Sequence, residues 1–203
     1  MLWRLFSRID SRRSLRSLLL VVAIAGLSQP VPAQLTHNAV YRPERTFLEI
    51  TVQAAGADLA VLQQNLDAGL TARVEFAIRV LEPRVGVWRV FGDRGIREYV
   101  TGSEARWDLF TQRYVIRSDD GTRFSFASVD ELTRFLFSLQ QYRIPWIGMT
   151  DRRGTVAEHV VLETQVRYSP VVFVPALAIL AFFRVEERLV SPWVRSPVIE
   201  VPR

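Results

Sequence analysis

One stretch of this chain leaves the backbone few choices. Between Arg106 and Tyr142 two runs rich in Val, Ile, Tyr and Phe are separated by Asp119-Asp120-Gly121, and Ser128-Val129-Asp130-Glu131 then precedes an apolar pattern. A short loop ending in Gly suits a tight antiparallel connection, which predicts a hairpin. Ser128 and Glu131 have the spacing of a capping box, in which each side chain satisfies a backbone donor that a helix start would otherwise orphan. Leu132, Phe135, Leu136 and Leu139 recur at intervals of three and four, so the spacing predicts a helix over Val129–Tyr142, closed off by Pro145.

The flanking chain adds strands by alternation. Thr46–Ala54 places Phe47, Leu48, Ile50 and Val52 as a first strand, and Asp58 can cap a short helix through Leu59, Leu62 and Leu66 that stops at Gly69. Leu70–Leu81 is the clearest half-buried strand, with Val74, Phe76, Ile78 and Val80 on one face and Arg73, Glu75 and Arg79 on the other. Val85–Val90 reads as a weaker strand, Gly92-Asp93-Arg94-Gly95 as a loop, and Ile96–Asp108, Tyr114–Arg117, Phe124–Phe126 and Val156–Tyr168 as further strands. Trp146–Gly154 reads as connection. Ser191–Pro197 has its Pro residues spaced for an extended tail. The expected fold class is α+β, a mostly antiparallel β-sheet or sandwich of about seven strands with one or two packed helices.

The first 33 residues read differently. Residues 1–16 are Arg-rich, Leu18–Leu27 is uncharged and apolar, and Val31-Pro32-Ala33 supplies small residues before Gln34. This is the tripartite form of a secretory signal peptide, with cleavage expected between Ala33 and Gln34. Retention as an N-terminal anchor is the competing reading, although ten apolar residues fall short of the roughly 20 that cross a bilayer. Ser11-Arg12-Arg13 partly matches a twin-arginine signal, so the export route stays open. The expected organisation is a signal peptide over 1–33, an N-terminal linker over 34–45 and a single α+β domain over 46–203. The expected location is the periplasm or cell envelope.

Charge bears on partners only after the leader is set aside. All 26 basic residues are Arg, and removing the five Arg and one Asp of residues 1–33 leaves 21 basic against 20 acidic side chains. A near-neutral body with interspersed signs lacks the electrostatic footprint of a nucleic-acid binder. Cys is absent, so there is no disulfide framework, thiolate nucleophile or lipoprotein anchor. The body's two His, His37 and His159, are not brought together by any motif. Asp119-Asp120-Gly121 lacks the further oxygen ligands of a calcium loop, and Gly102-Ser103-Glu104 lacks the glycine pattern of a nucleophile elbow. The expectation is therefore a protein that is not an enzyme and carries no cofactor.

The feature left over is Val171–Phe183, thirteen uncharged residues with Pro175 near the start. It reads either as a buried core helix or as a surface that meets a membrane or an envelope protein, because a helix with no polar face needs cover on every side. Val172, Phe173, Leu177, Ile179, Leu180, Phe182 and Phe183 are the candidate contact residues. The leading functional expectation is a non-enzymatic exported envelope protein that acts through protein–protein or membrane-surface contacts. The alternative is a periplasmic carrier of an apolar ligand such as a lipid, with Phe135 and Leu139 among its walls.

The order of these pieces resembles an uncharacterised bacterial family of exported proteins, domain of unknown function 4390. The resemblance covers roughly residues 46–200. It rests on the helix ending at Gly69 and running into Leu70–Val80, on Trp107-Asp108-Leu109-Phe110-Thr111-Gln112-Arg113-Tyr114-Val115-Ile116, on the strand, turn and capped helix through Leu139, and on Ser191-Pro192-Trp193. It implies export and a fold. It brings no catalytic residues.

Overall fold

A computed structural model of the chain describes residues 34–84, 86–149, 157–172 and 188–202. The expected signal peptide and Ala33 lie outside the described residues, and Gln34 is their first member. In chain order the elements are β1 (Thr36–Pro43), β2 (Phe47–Ala55), α1 (Leu59–Asp67), β3 (Thr71–Glu82), a 3-10 turn over Gly86–Phe91, β4 (Arg94–Asp108), β5 (Arg113–Ser118), β6 (Arg123–Phe126), α2 (Val129–Leu136), β7 (Ser138–Pro145), a second 3-10 turn over Trp146–Met149, β8 (His159–Val172), β9 (Leu189–Val190), β10 (Val194–Arg195) and β11 (Ile199–Glu200). The strands form an antiparallel sheet of three, in the order β1-β2-β7, and a sheet of eight. The larger sheet runs β10-β8-β3-β4-β5-β6, with β9 and β11 also on β8, and its pairings are antiparallel. The fold is α+β, as the patterning implies.

Alternation sets the core. β3 buries Ala72, Val74, Phe76, Ile78 and Val80, and β8 buries Val160, Leu162, Thr164, Val166 and Tyr168, while their odd-numbered neighbours alternate to the outer face, where Ala77 and Val161 are also buried. Leu48, Ile50 and Val52 of β2 join Leu62 and Leu66 of α1 and Leu132 and Leu136 of α2 in the same apolar cluster. Both helix starts are capped by the expected side chains. Asp58 accepts from the N–H of Ala60 (2.9 Å) and Val61 (3.2 Å), and the Ser128 hydroxyl accepts from the N–H of Glu131 (3.3 Å).

Three expectations are corrected. Residues 34–45 are not a linker, because β1 pairs along its length with β2 and Leu35 is buried. The chain passes so near Gly56 that a Cβ there would strike the Gln34 carbonyl, and Gly56 also holds φ +99°. The helix from Val129 ends at Leu136, not Tyr142. The Phe137 carbonyl accepts from the N–H of Ala54 (2.9 Å), and Ser138–Pro145 then completes the edge of β2 as β7. A bulge opposite Thr51 lets Leu139, Tyr142 and Ile144 all reach the core despite their uneven spacing. Val85–Val90 is not a strand, since Gly86–Phe91 forms an exposed 3-10 turn. Eleven strands among the described residues replace the expected seven. Losing that strand and gaining β1, β7 and three short tail strands accounts for the change.

The tail is bonded to β8 by a repeated device. Pro192 and Pro197 have no N–H to give a ladder. The Ser before each one substitutes: Ser191 gives its N–H to the Val166 carbonyl (2.9 Å) and takes the Val166 N–H on its hydroxyl (2.9 Å), and Ser196 does the same with Leu162 (2.8 and 2.9 Å). Each step inserts one tail residue beyond the count on β8, as the pairings Val190 with Arg167, Val194 with Thr164 and Ile199 with Val160 show.

Candidate contact surfaces

Val172 is the last residue of β8 and pairs with Thr71. Phe173, Leu177, Ile179, Leu180, Phe182 and Phe183 lie outside the described residues, as do Arg152, Arg153 and Gly154. The residue at the far flank, Arg188, donates to Glu75 at 2.6 Å. Of the proposed ligand-carrier walls, Phe135 packs between Phe124 (centroids 4.5 Å) and Phe126 (5.4 Å), and Leu139 sits on β7 against the core.

The outer face of the larger sheet is a lattice of paired charges. Arg73 on β3 reaches Glu75 (3.1 Å), Glu104 on β4 (2.9 Å) and Asp119 beyond β5 (3.0 Å). It crosses β4 over Gly102, where a Cβ would stand 3.2 Å from the guanidinium and 2.9 Å from the Val74 carbonyl. Burial alone would lower the Arg73 pKa, but the bonds to Glu75, Glu104 and Asp119 outweigh it and raise it. Asp119-Asp120-Gly121 turns as expected. The Asp120 carboxylate accepts the Thr122 N–H (2.8 Å), which lowers its pKa, and Gly121 takes φ +88°.

A very different surface lies at the β3–β4 connection. Its base is fixed: Glu82 pairs with Arg94 (2.8 Å), the Arg84 N–H donates to Asp93 (3.4 Å), and Asp93 pairs with Arg195 of β10. Above that base the 3-10 turn presents Val87 (79% exposed), Trp88 (62%), Val90 (87%) and Phe91 (70%) to solvent. The Trp88 and Phe91 rings are 6.0 Å apart, packed on each other rather than on the core. The acids here are all engaged, Glu82 and Asp93 as above and Glu98 with Arg79 (3.3 Å). Arg84 and Arg97 have no carboxylate partner among the described residues. At the opposite end of β4 a second apolar pair, Leu109 and Phe110 (99% exposed), tops a turn in which Asp108 accepts the Phe110 N–H (2.9 Å). That bond lowers the Asp108 pKa. Pro83, Gly86 and Gly92 were the signal for this projection, because they bracket a run too short and too interrupted to be a paired strand.

The His residues are apart. His37 on β1 bonds through Nε2 to the Thr164 hydroxyl of β8 (2.9 Å), which is also 3.4 Å from the Tyr41 hydroxyl and donates to the Val194 carbonyl (3.4 Å). Burial lowers the His37 pKa more than the Thr164 contact raises it, and its Nδ1 is buried without a partner among the described residues. Burial pushes the Tyr168 hydroxyl up to about 12. Among the described residues no three His, Asp or Glu side chains are grouped to hold a metal, and no helix is long and apolar enough to cross a membrane. No protein-family model matches the chain, and neither a curated protein nor a solved structure matches it.

Proposed function

We propose that this is a non-enzymatic protein of the cell envelope, exported by its leader, that works by surface contact with an anionic membrane. The reading agrees with what the resemblance to the exported family implies. The observation that carries it is the 3-10 turn over Gly86–Phe91, where four apolar side chains, two of them aromatic, project from a clamped base with most of their surface in water. Large exposed apolar patches on soluble domains mark interaction sites. A convex projection suits a fluid bilayer, into which Trp and Phe settle at headgroup depth.

Magnitude favours a reversible contact. Each of the four side chains gains at most about 1.5–3 kcal/mol on leaving water, and partial immersion yields less. That total is comparable with one acyl chain, which anchors only marginally and needs a second signal. Arg84 and Arg97, without a carboxylate partner among the described residues, can supply one, at about 1 kcal/mol per cation near an anionic surface.

Sedimentation with vesicles tests this. The full chain should bind vesicles containing phosphatidylglycerol and bind pure phosphatidylcholine weakly. Trp88→Ser with Phe91→Ser should abolish binding with circular dichroism unchanged. Undiminished binding by that double variant, or crosslinking from position 88 to an envelope protein in place of lipid, would sink the membrane reading.

A further inference from the structure

A cleft on the solvent side of the smaller sheet, independent of the apolar projection, points to a second activity. It has two lobes that share Gln53 of β2 and Arg134 of α2. The polar lobe, about 380 Å³, is completed by Thr51, Ser138, Gln140 and Gln141. The other, about 240 Å³, is largely apolar, with Ala54, Ala57, Leu59 and Phe137 in its lining. No carboxylate lines either lobe.

The bulge in β7 builds the polar lobe. A regular strand turns alternate side chains to opposite faces, so only one of two neighbouring residues would line a surface cleft. Here two residues of β7 oppose Thr51 alone, and Gln140 and Gln141 both line the cleft, the latter at φ +52°. Three side-chain amides and two hydroxyls thus converge with a single guanidinium. Arg134 is exposed, its Nε donates to the Asp130 main-chain carbonyl (3.4 Å), and it has no carboxylate partner among the described residues.

We infer that this cleft binds an acidic saccharide, a polyhydroxylated ring bearing a carboxylate. Amides and hydroxyls both donate and accept, which matches a ring of hydroxyls better than it matches a single charged group. The guanidinium fork suits a carboxylate, held bidentately. The apolar lobe offers a surface for the C–H face that a sugar ring also presents. A phosphate ligand would call for more cations or a nest of main-chain N–H groups.

Calorimetry on the full chain with a galacturonic acid trimer, the neutral galactose trimer and sodium sulfate decides the matter. The acidic trimer should bind at least tenfold more tightly than the neutral one, and Arg134→Gln should remove that preference while the melting temperature stays unchanged. Gln140→Ala with Gln141→Gly should weaken both trimers, and Gly accepts the positive φ at 141 without strain. Absence of acidic-trimer binding by the folded protein, sulfate displacing the trimer as an equal, or unchanged binding by Arg134→Gln would each overturn the assignment. Loss of vesicle binding in the Trp88 and Phe91 variant should leave these results as they are.

Discussion

The β3–β4 connection and the C-terminal tail are written in similar residues, and the fold treats them in opposite ways. Each carries Val, Arg and one Trp, and each is interrupted by residues that break regular structure. Trp88 stands 62% exposed beside Phe91. Trp193 instead covers the Arg79 guanidinium at 4.0 Å, against a tail whose Ser191 and Ser196 are buried. The difference is not hydrophobicity. The tail has a strand beside it with free N–H and carbonyl groups, and its Ser hydroxyls replace the donors that Pro removes. Among the described residues the connection is held at its base, and its apolar side chains Val87, Trp88, Val90 and Phe91 stand exposed.

The contrast can be broken most severely from the tail. Ser191→Ala and Ser196→Ala each leave a main-chain N–H of β8 buried without an acceptor, at a cost of about 1–3 kcal/mol apiece. Urea titration should show the midpoint falling for each and further for the pair. A midpoint unmoved by the double substitution would mean that the hydroxyls do not hold the tail. His37 comes next, since it meets on Thr164 the same hydroxyl that bonds the tail at Val194. Its folded pKa is lowered, chiefly by burial, so the unfolded chain takes up the proton more readily. The contribution of His37 is therefore complete above its ordinary value of 6.5 and is lost as pH falls below that value towards the lowered one. Stability measured at pH 7 and 5 should drop for the natural chain, and His37→Gln should reduce that drop.

Smaller effects sharpen the same contrast. Trp193→Leu removes the ring from Arg79 and should cost about 0.5–1 kcal/mol, as expected of an exposed cation–π pair. Trp88→Ser should change stability by no more than about 0.5 kcal/mol, because Trp88 packs on the equally exposed Phe91 and not on the core. If Trp88→Ser destabilised the fold as much as Trp193→Leu, the projection would be part of the core.

How much of this was legible in the sequence follows from how local each signal is. The caps at Asp58 and Ser128, the turn at Gly121 and the buried face of β3 are set within a few residues, and each stands where the pattern placed it. β7 was hidden because Leu139 fits the helical spacing that begins at Leu132. Only the open edge of β2, some ninety residues earlier in the chain, makes Ser138–Pro145 a strand. β1 was hidden for a different reason: its partner is the strand that follows it, but its own residues, Thr36–Pro43, are too mixed to show an alternating apolar face. The tail read correctly as extended, but its attachment needed the position of β8. The cleft was invisible, since it requires a bulge in β7 to bring Gln140 and Gln141 to Arg134.

The extra residue that each Ser-Pro step adds against β8 has a consequence for motion. Because the tail advances five residues where β8 advances four, it cannot creep along the strand one residue at a time; shifting it breaks both Ser contacts at once. It must lift and reseat as a unit, a local opening separate from global unfolding. Hydrogen exchange at the Leu162 and Val166 amides would report that opening directly. Both protons should leave at one common rate, faster than amides bonded between β3 and β8, and in the Ser196→Ala protein that rate should rise at both positions together.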